Sequence, residues 1–398
     1  MLITRRHTLV MGAAAALQPV RTAFAADALR IGVLVPLTGT LASDGNRLLR
    51  AHQLAAKQIN AQGGIKELGG AQVELVVSDI QSKPEVARSE AQRLISNENV
   101  SALVGAWASA TTIPSCQVAE RNSTPYVVTS AITDGITEQG MQYVFRVAPK
   151  GKWFSEYTAD FIDYLRSLGL KISRFALATE DGPFGQTMRT NYPPAMSKRG
   201  LELVADETFK TGSPDLGTAV SKLKASNADV VLTACYSDDS AVLLRTMTAQ
   251  RFRPIYIGYG GGHVTQTVLS TGKPAEGSYG IVEWNTDLNK APSLEFVKQF
   301  AAEYPGESLL SNQPQAYTAI YALALAAAAA KSRDRTAIRD ALRTLKVTSG
   351  PATILPLNEL AFDAQGQAKA GGVMVQVQDN KFVTVWPKNY ASSAPRLS

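Results

Sequence analysis

The sequence predicts an α/β protein of two lobes, each a doubly wound parallel sheet with helices on both faces. Three observations carry that prediction. Strand-length apolar runs alternate with helix-length amphipathic runs from Leu29 to Gly258, and the rhythm restarts after Phe145-Arg146-Val147. At 398 residues the chain is also too long for one comfortable core.

In the first lobe, Leu29-Arg-Ile-Gly-Val-Leu-Val35 reads as a buried strand. Leu48, Ala51, Ala55 and Ile59 then recur at helical spacing until Gly63-Gly64 stops the helix. A strand at 73–78, a helix at 84–97, a strand at 102–105, a helix from about Thr112 to Arg121 and a strand at 126–129 follow. The second lobe repeats the pattern: helix 154–168, strand 175–178, helix 185–199, strand 203–208, helix 215–226, strand 230–234, helix 241–250 and strand 255–258. Two alanine-rich helices, 315–331 and 336–345, are expected to return to the first lobe, and alternating strands at 372–377 and 382–386 to the second. The expected divisions are 1–25 as a signal peptide, 26–149 with 281–357 as lobe 1, 150–280 with 358–388 as lobe 2, and 389–398 as a flexible tail.

The opening residues differ in kind from the rest. Arg5-Arg6 precede an apolar segment from Leu9 to Leu17, and Ala23-Phe24-Ala25 supplies the small-x-small pattern of a cleavage site, so cleavage is expected before Ala26. Thr4-Arg5-Arg6-His7-Thr8-Leu9 resembles a twin-arginine export signal, with Thr8 where Phe is usual. The expected destination is a bacterial periplasm. Loss of Arg5, Arg6 and Arg21 lowers the formal charge from +6 to +3, too mild to argue for nucleic acid. The alanine run at 323–330 is bounded by Tyr321 and Lys331 and is too short to span a bilayer. His7, His52 and His263 are the only histidines and form no Cys/His cluster, so neither a metal nor a cofactor is expected. Cys116 and Cys235 are expected as free, buried thiols in separate lobes.

Candidate ligand segments lie just after strands, where open α/β sheets collect their contacts. They are 36–45, 105–112, 129–133, 179–185, 235–240 and 258–263. Ser109 admits three readings: a nucleophile, an anion cradle at a helix start, or a helix cap. The nucleophile fails, because no G-x-S-x-G elbow surrounds Ser109 and only His52 and His263 remain as a base. Gly258-Tyr-Gly-Gly-Gly-His263 lacks the Lys-Ser/Thr of a phosphate loop and reads equally as a flexible loop or a ligand contact.

Ile31-Gly-Val-Leu-Val-Pro-Leu-Thr-Gly39, Asn60-Ala-Gln-Gly-Gly-Ile65, Val104-Gly105 with Ser109 and Thr112, Thr129-Ser-Ala131 with Thr133, Asp181-Gly-Pro-Phe-Gly185 and Pro274-Ala-Glu-Gly277 together resemble the leucine/isoleucine/valine-binding proteins of ABC importers. The resemblance runs in order along nearly all of the mature chain. It implies a type I periplasmic binding protein, two lobes closing at a three-segment hinge, without catalysis. It further implies that Ser109 grips a ligand carboxylate with backbone groups near Ala131 and Thr133, and that Phe184 and Tyr236 line the pocket. The expected partners are a small-molecule ligand and an inner-membrane ABC permease, with the chain a monomer.

One departure concerns the acid that pairs with a ligand ammonium in the amino-acid binders. Its position falls at or near Gly260, so either another acid substitutes or the ligand has no amine. Asp44 is the first candidate substitute, with Asp238, Asp239 and Glu283 as others. The alternative is an aromatic or organic acid, for which Gly260 and Gly261 leave room and Trp107, Trp153, Phe184 and Tyr236 offer stacking faces. A ligand-sensing receptor subunit and an exported hydrolase are the rival functions.

Overall fold

A computed structural model describes residues 28–356 and 359–397. The expected signal peptide, 1–25, lies outside the described residues. Two separate parallel sheets form the framework. The first has five strands in the order Val73–Asp79, Leu29–Val35, Ala102–Gly105, Tyr126–Val128 and Val144–Arg146, all parallel. The second has seven, in the order Lys381–Trp386, Val373–Gln378, Tyr279–Val282, Ile255–Tyr259, Val230–Ala234, Arg174–Glu180 and Glu202–Phe209. Its first two strands pair antiparallel at the edge, and the other five run parallel.

The central strands are apolar without alternation because helices cover both faces. Ile31, Val33 and Val35 pack with Leu48, Ala51 and Ala55 of the helix Ala42–Ala61 and with Ile320 and Leu323 of the helix Gln313–Ala330. On the other face, Leu34 and Leu103 meet Ala87, Ala91 and Leu94 of the helix Pro84–Ser96 and Cys116 and Ala119 of the helix Ser109–Arg121. Gln313–Ala330 is buried around most of its circumference, and its alanines let it lie close to Ala42–Ala61. The second sheet is covered by the helices Gly151–Ser167 and Pro183–Ser197 on one side and Gly217–Ala225 and Ser237–Ala249 on the other. Cys116 and Cys235 are free and buried, one beneath each sheet.

The strand Tyr279–Val282 and the helix Ala291–Glu303 were not predicted. Because that strand pairs with Ile255–Tyr259, the chain leaves the second lobe after Val282 rather than at 281. Residues 389–397 lie against the second sheet, where Gln378 donates to the Ala394 carbonyl at 3.0 Å and the Arg396 N–H donates to Gln376 at 2.8 Å. Among the described residues no helix is long and apolar enough to cross a membrane.

The alanine contact gives a test. Ala319 is fully buried in the first core, so Ala319→Leu should overpack it and lower stability by about 1–3 kcal/mol, read as a shifted denaturant midpoint.

Candidate functional site

The carboxyl ends of both sheets face one narrow interlobe cavity. Trp107, Ser109, Ser130 and Ala131 reach it from the first lobe, and Phe184, Tyr236, Tyr259 and Gly262 from the second. Glu283 and Asn312 come from the chain that returns between the lobes. Of the residues expected from the sequence, Ser109, Ala131, Phe184, Tyr236 and Trp107 are brought together here.

Ser109 is the first residue of the helix Ser109–Arg121, which begins earlier than expected. Ala108 is the N-cap and supplies no side-chain bond. Thr111 does the local work instead, donating to the Ala106 and Ala108 carbonyls at 2.9 Å each. The Ser109 hydroxyl has no hydrogen-bond partner among the described residues, and it stands at the positive end of the helix on the cavity wall. Thr112 is buried, its hydroxyl has no partner among the described residues, and it does not line the cavity. Trp107 is held at φ 69°, a left-handed conformation uncommon for a bulky residue, and its ring reaches across to Tyr236 at 5.3 Å. Tyr236 meets Phe184 at 5.5 Å, and Phe184 meets Tyr259 at 5.1 Å, so rings from both lobes form the apolar walls.

Arg146 anchors the loop behind Ser130 and Ala131. It is fully buried, and its guanidinium donates to the Ala131 carbonyl at 3.2 Å, the Thr133 carbonyl at 2.8 Å, Thr137 at 2.9 Å and Gln367 at 2.6 Å. All four acceptors are neutral. Burial draws its pKa down to about 10, so it remains a cation at neutral pH. An arginine inside the apolar strand Val144-Phe-Arg146 was the sequence signal for it.

Glu283 is the carboxyl group among the residues lining the cavity. It is 2% exposed; its Oε1 accepts from the Tyr259 hydroxyl at 2.9 Å, and its Oε2 has no partner among the described residues. Burial raises its pKa to about 7, opposed by its own backbone N–H, the Tyr259 hydroxyl and the neighbouring Gln315 amide.

Asp44, Thr133, Gly260 and Trp153 do not line this cavity. Asp44 sits at the cleft mouth, paired with Arg47 and accepting from Ser237 of the other lobe at 3.4 Å; burial raises its pKa against the pull of Arg47. Thr133 also spans the lobes, donating to the Pro183 carbonyl at 3.2 Å and accepting from Thr187 at 3.2 Å. Gly260 packs on the neighbouring strand, where an added Cβ would lie 2.7 Å from Val282 and 2.8 Å from the Ile281 carbonyl. Gly262 is the glycine at the wall that tolerates no side chain, since a Cβ there would fall 1.6 Å from the Cys235 carbonyl. The run Gly260–His263 is a helical turn rather than a loop. Trp153 lies under Lys150 instead of facing the cleft. Asp239 tethers its own helix start, accepting from the Gly212 and Tyr236 N–H groups at 2.8 and 3.4 Å, and burial raises its pKa to about 6.

A serine–histidine pair does occur, with Ser240 3.0 Å from His263 Nδ1, but both residues are buried away from the cavity. The second ring nitrogen is 3.0 Å from Ser278 rather than a carboxylate, and burial lowers the His263 pKa to about 3. The arrangement lacks the orienting acid and the substrate access of a hydrolytic triad. Among the described residues no group of three or more His, Cys, Asp or Glu side chains is placed to hold a metal.

Glu283 makes stability depend on pH in a direction opposite to a salt-bridged acid. A pKa raised from 4.5 to about 7 means the folded chain binds the extra proton, so stability declines as pH rises through that window. Glu283→Gln cannot titrate, and its stability relative to the parent should grow by roughly 1.4 kcal/mol per pH unit across the window, measured by denaturant unfolding.

Residues 28–381 match the family described as periplasmic binding protein. The Leu/Ile/Val-binding protein homolog 7 of Brucella abortus (strain 2308) is 29% identical over 406 residues, covering 98% of this chain and 99% of that protein. The branched-chain amino acid transporter substrate binding protein LivJ from Streptococcus pneumoniae, solved with isoleucine, is 24% identical with a TM-score of 0.80, covering 91% of this chain and 100% of that one. A solute binding protein of an ABC transporter from R. palustris, solved with benzoate, is 20% identical with a TM-score of 0.80, covering 92% and 98%. The two solved structures share the two-lobed type I fold described above. The chain belongs to the periplasmic binding protein family.

Proposed function

We propose that the chain is the periplasmic substrate-binding component of an ABC importer, that it closes on a small carboxylate-bearing ligand in the interlobe cavity, and that it delivers this ligand to the permease. The observation that carries the reading is the Ser109 hydroxyl, without a hydrogen-bond partner among the described residues at the first turn of a helix that opens on the cavity. Hydroxyl and N–H donors at such a terminus hold a carboxylate through charge-assisted bonds, without a basic side chain in contact. The buried charge of Arg146 stands behind the same wall and favours an anion there.

Closure follows from contacts available only when the lobes meet. Thr133 with Pro183 and Thr187, Asp134 with Asn191 at 2.6 Å, and Asp44 with Ser237 join the lobes on either side of the cavity. A ligand that touches Ser109 on one lobe and Phe184 and Tyr236 on the other adds its own differential contacts and shifts the population toward the closed form. The permease then recognises the closed surface. Export by the segment 1–25 places the mature chain in the periplasm as a monomer.

A thermal-shift screen of amino acids, amides and aromatic and aliphatic acids tests the assignment, since a ligand of the native state raises the melting temperature. At least one carboxylate should do so; a screen in which only non-acids bind would overturn the reading. Ser109→Ala should weaken binding of that carboxylate by roughly 1.5–3 kcal/mol in calorimetric titration, and an unchanged affinity would remove the cradle.

A further inference from the structure

We propose that the tail of the ligand ends in a neutral carbonyl oxygen, of the carboxamide class, held by Gln313 and Asn312 in a second compartment beside the cavity. The inference rests on the function proposed above and supplies a substrate class for the same site. The compartment adjoins the cavity along Trp107, Gly261 and Asn312, which line both, and continues to Asp44, Arg47 and Gln313. Gly261 keeps the junction open, since an added Cβ would lie 2.9 Å from Asn312 Nδ2 and 3.8 Å from the Trp107 ring.

The polar groups of the compartment decide what enters it. Gln313 is 2% exposed, and its Oε1 accepts from the Leu310 N–H at 2.6 Å, which fixes the amide with Nε2 as the donor. That Nε2 is buried and has no partner among the described residues. Asn312 is arranged in the same way: its Oδ1 accepts from the Ser311 hydroxyl at 3.1 Å, and its Nδ2, at the junction, makes no hydrogen bond to a described residue. An apolar tail would leave both donors unpaired, and a site built to hydrogen-bond its ligand rejects an analogue that cannot. Charge disfavours the other acceptor, a second carboxylate. Arg47 is the cation of the compartment, and it is committed to Asp44, with Ser43 accepting from its other terminal nitrogen at 3.0 Å. The ion pair carries no net charge, so a carboxylate would lose its water there without gaining an uncommitted cation. A neutral carbonyl is easier to desolvate and meets both amide donors.

Calorimetric titration of the mature chain at about pH 8, where carboxylates are ionised, tests this with matched sets of nearly one shape. Each set holds an amide, its branched apolar isostere and its dianion or acidic counterpart: succinamate, isocaproate and succinate; asparagine, leucine and aspartate; and the same sets one carbon longer. In at least one set the amide should bind about tenfold or more tightly than both of its companions. Gln313→Met keeps the length of the side chain and removes the donor, so it should narrow that preference to about threefold or less without weakening the apolar isostere. The preference is a ratio within one protein, so a general loss of stability does not imitate this result, and the comparison in the parent decides the matter even where the variant fails to fold. An apolar or second-carboxylate member that binds the parent as tightly as its amide in every set overturns the proposal. A preference that Gln313→Met leaves unchanged does so as well. Absence of binding by every carboxylate overturns the functional reading together with this inference, whereas carboxylates that bind without favouring the amide overturn this inference alone.

Discussion

A single buried cation ties the site to the joint between the lobes. Arg146 ends the last strand of the first sheet, and its backbone is paired on both sides with the returning chain, its N–H donating to the Gly366 carbonyl at 2.8 Å and its carbonyl accepting from Ala368 at 2.9 Å. Its side chain fixes the Ala131–Thr133 loop and reaches Gln367, whose amide in turn donates to the Ala148 and Ala368 carbonyls at 2.8 Å each. The cavity wall and two of the crossing segments are therefore held by one guanidinium. Removing it would take a donor from four buried acceptors at once, the Ala131 carbonyl losing its partner and Thr133, Thr137 and Gln367 one bond each, which is why so costly a group is retained there.

The cavity divides its tasks by lobe. The first lobe presents the helix start at Ser109 and the loop at Ser130 and Ala131, with the Ala131 carbonyl turned back toward Arg146. The second presents mostly rings, with Tyr259 doubling as the hydroxyl that orients Glu283. Trp107 is the exception, a ring carried by the first lobe into the aromatic wall of the second.

Much of this was legible in the sequence because strand–helix alternation is a local signal. The buried runs at Leu29–Val35, Ala102–Gly105 and Val230–Ala234 were read with their observed bounds, and Ser109 was identified from its place after a strand. The start of its helix was read late, at about Thr112, whereas the helix begins at Ser109 and carries Pro114 inside it. The strand Tyr279–Val282 escaped because four residues containing Gly280 give too short a periodic signal. Its omission weakened the search for the acid. Glu283 was one name among several, and only the pairing of that strand with Ile255–Tyr259 sets it beside Tyr259. Asn312 carries no local mark of a site, and Gly262 is marked only by lying in the expected segment 258–263. They reach the cavity through tertiary packing, which no spacing rule encodes.

The return of the chain to both sheets also dictates an order of assembly. The first core needs Ile320 and Leu323 from Gln313–Ala330, and the second sheet needs Val373–Gln378 and Lys381–Trp386 beside Tyr279–Val282. A nascent chain that has emerged only through Val282 therefore has one half-clad sheet and another with a bare edge. Neither half can mature independently ahead of the C-terminal segments, so folding is a property of the whole polypeptide and comes after its synthesis is nearly complete.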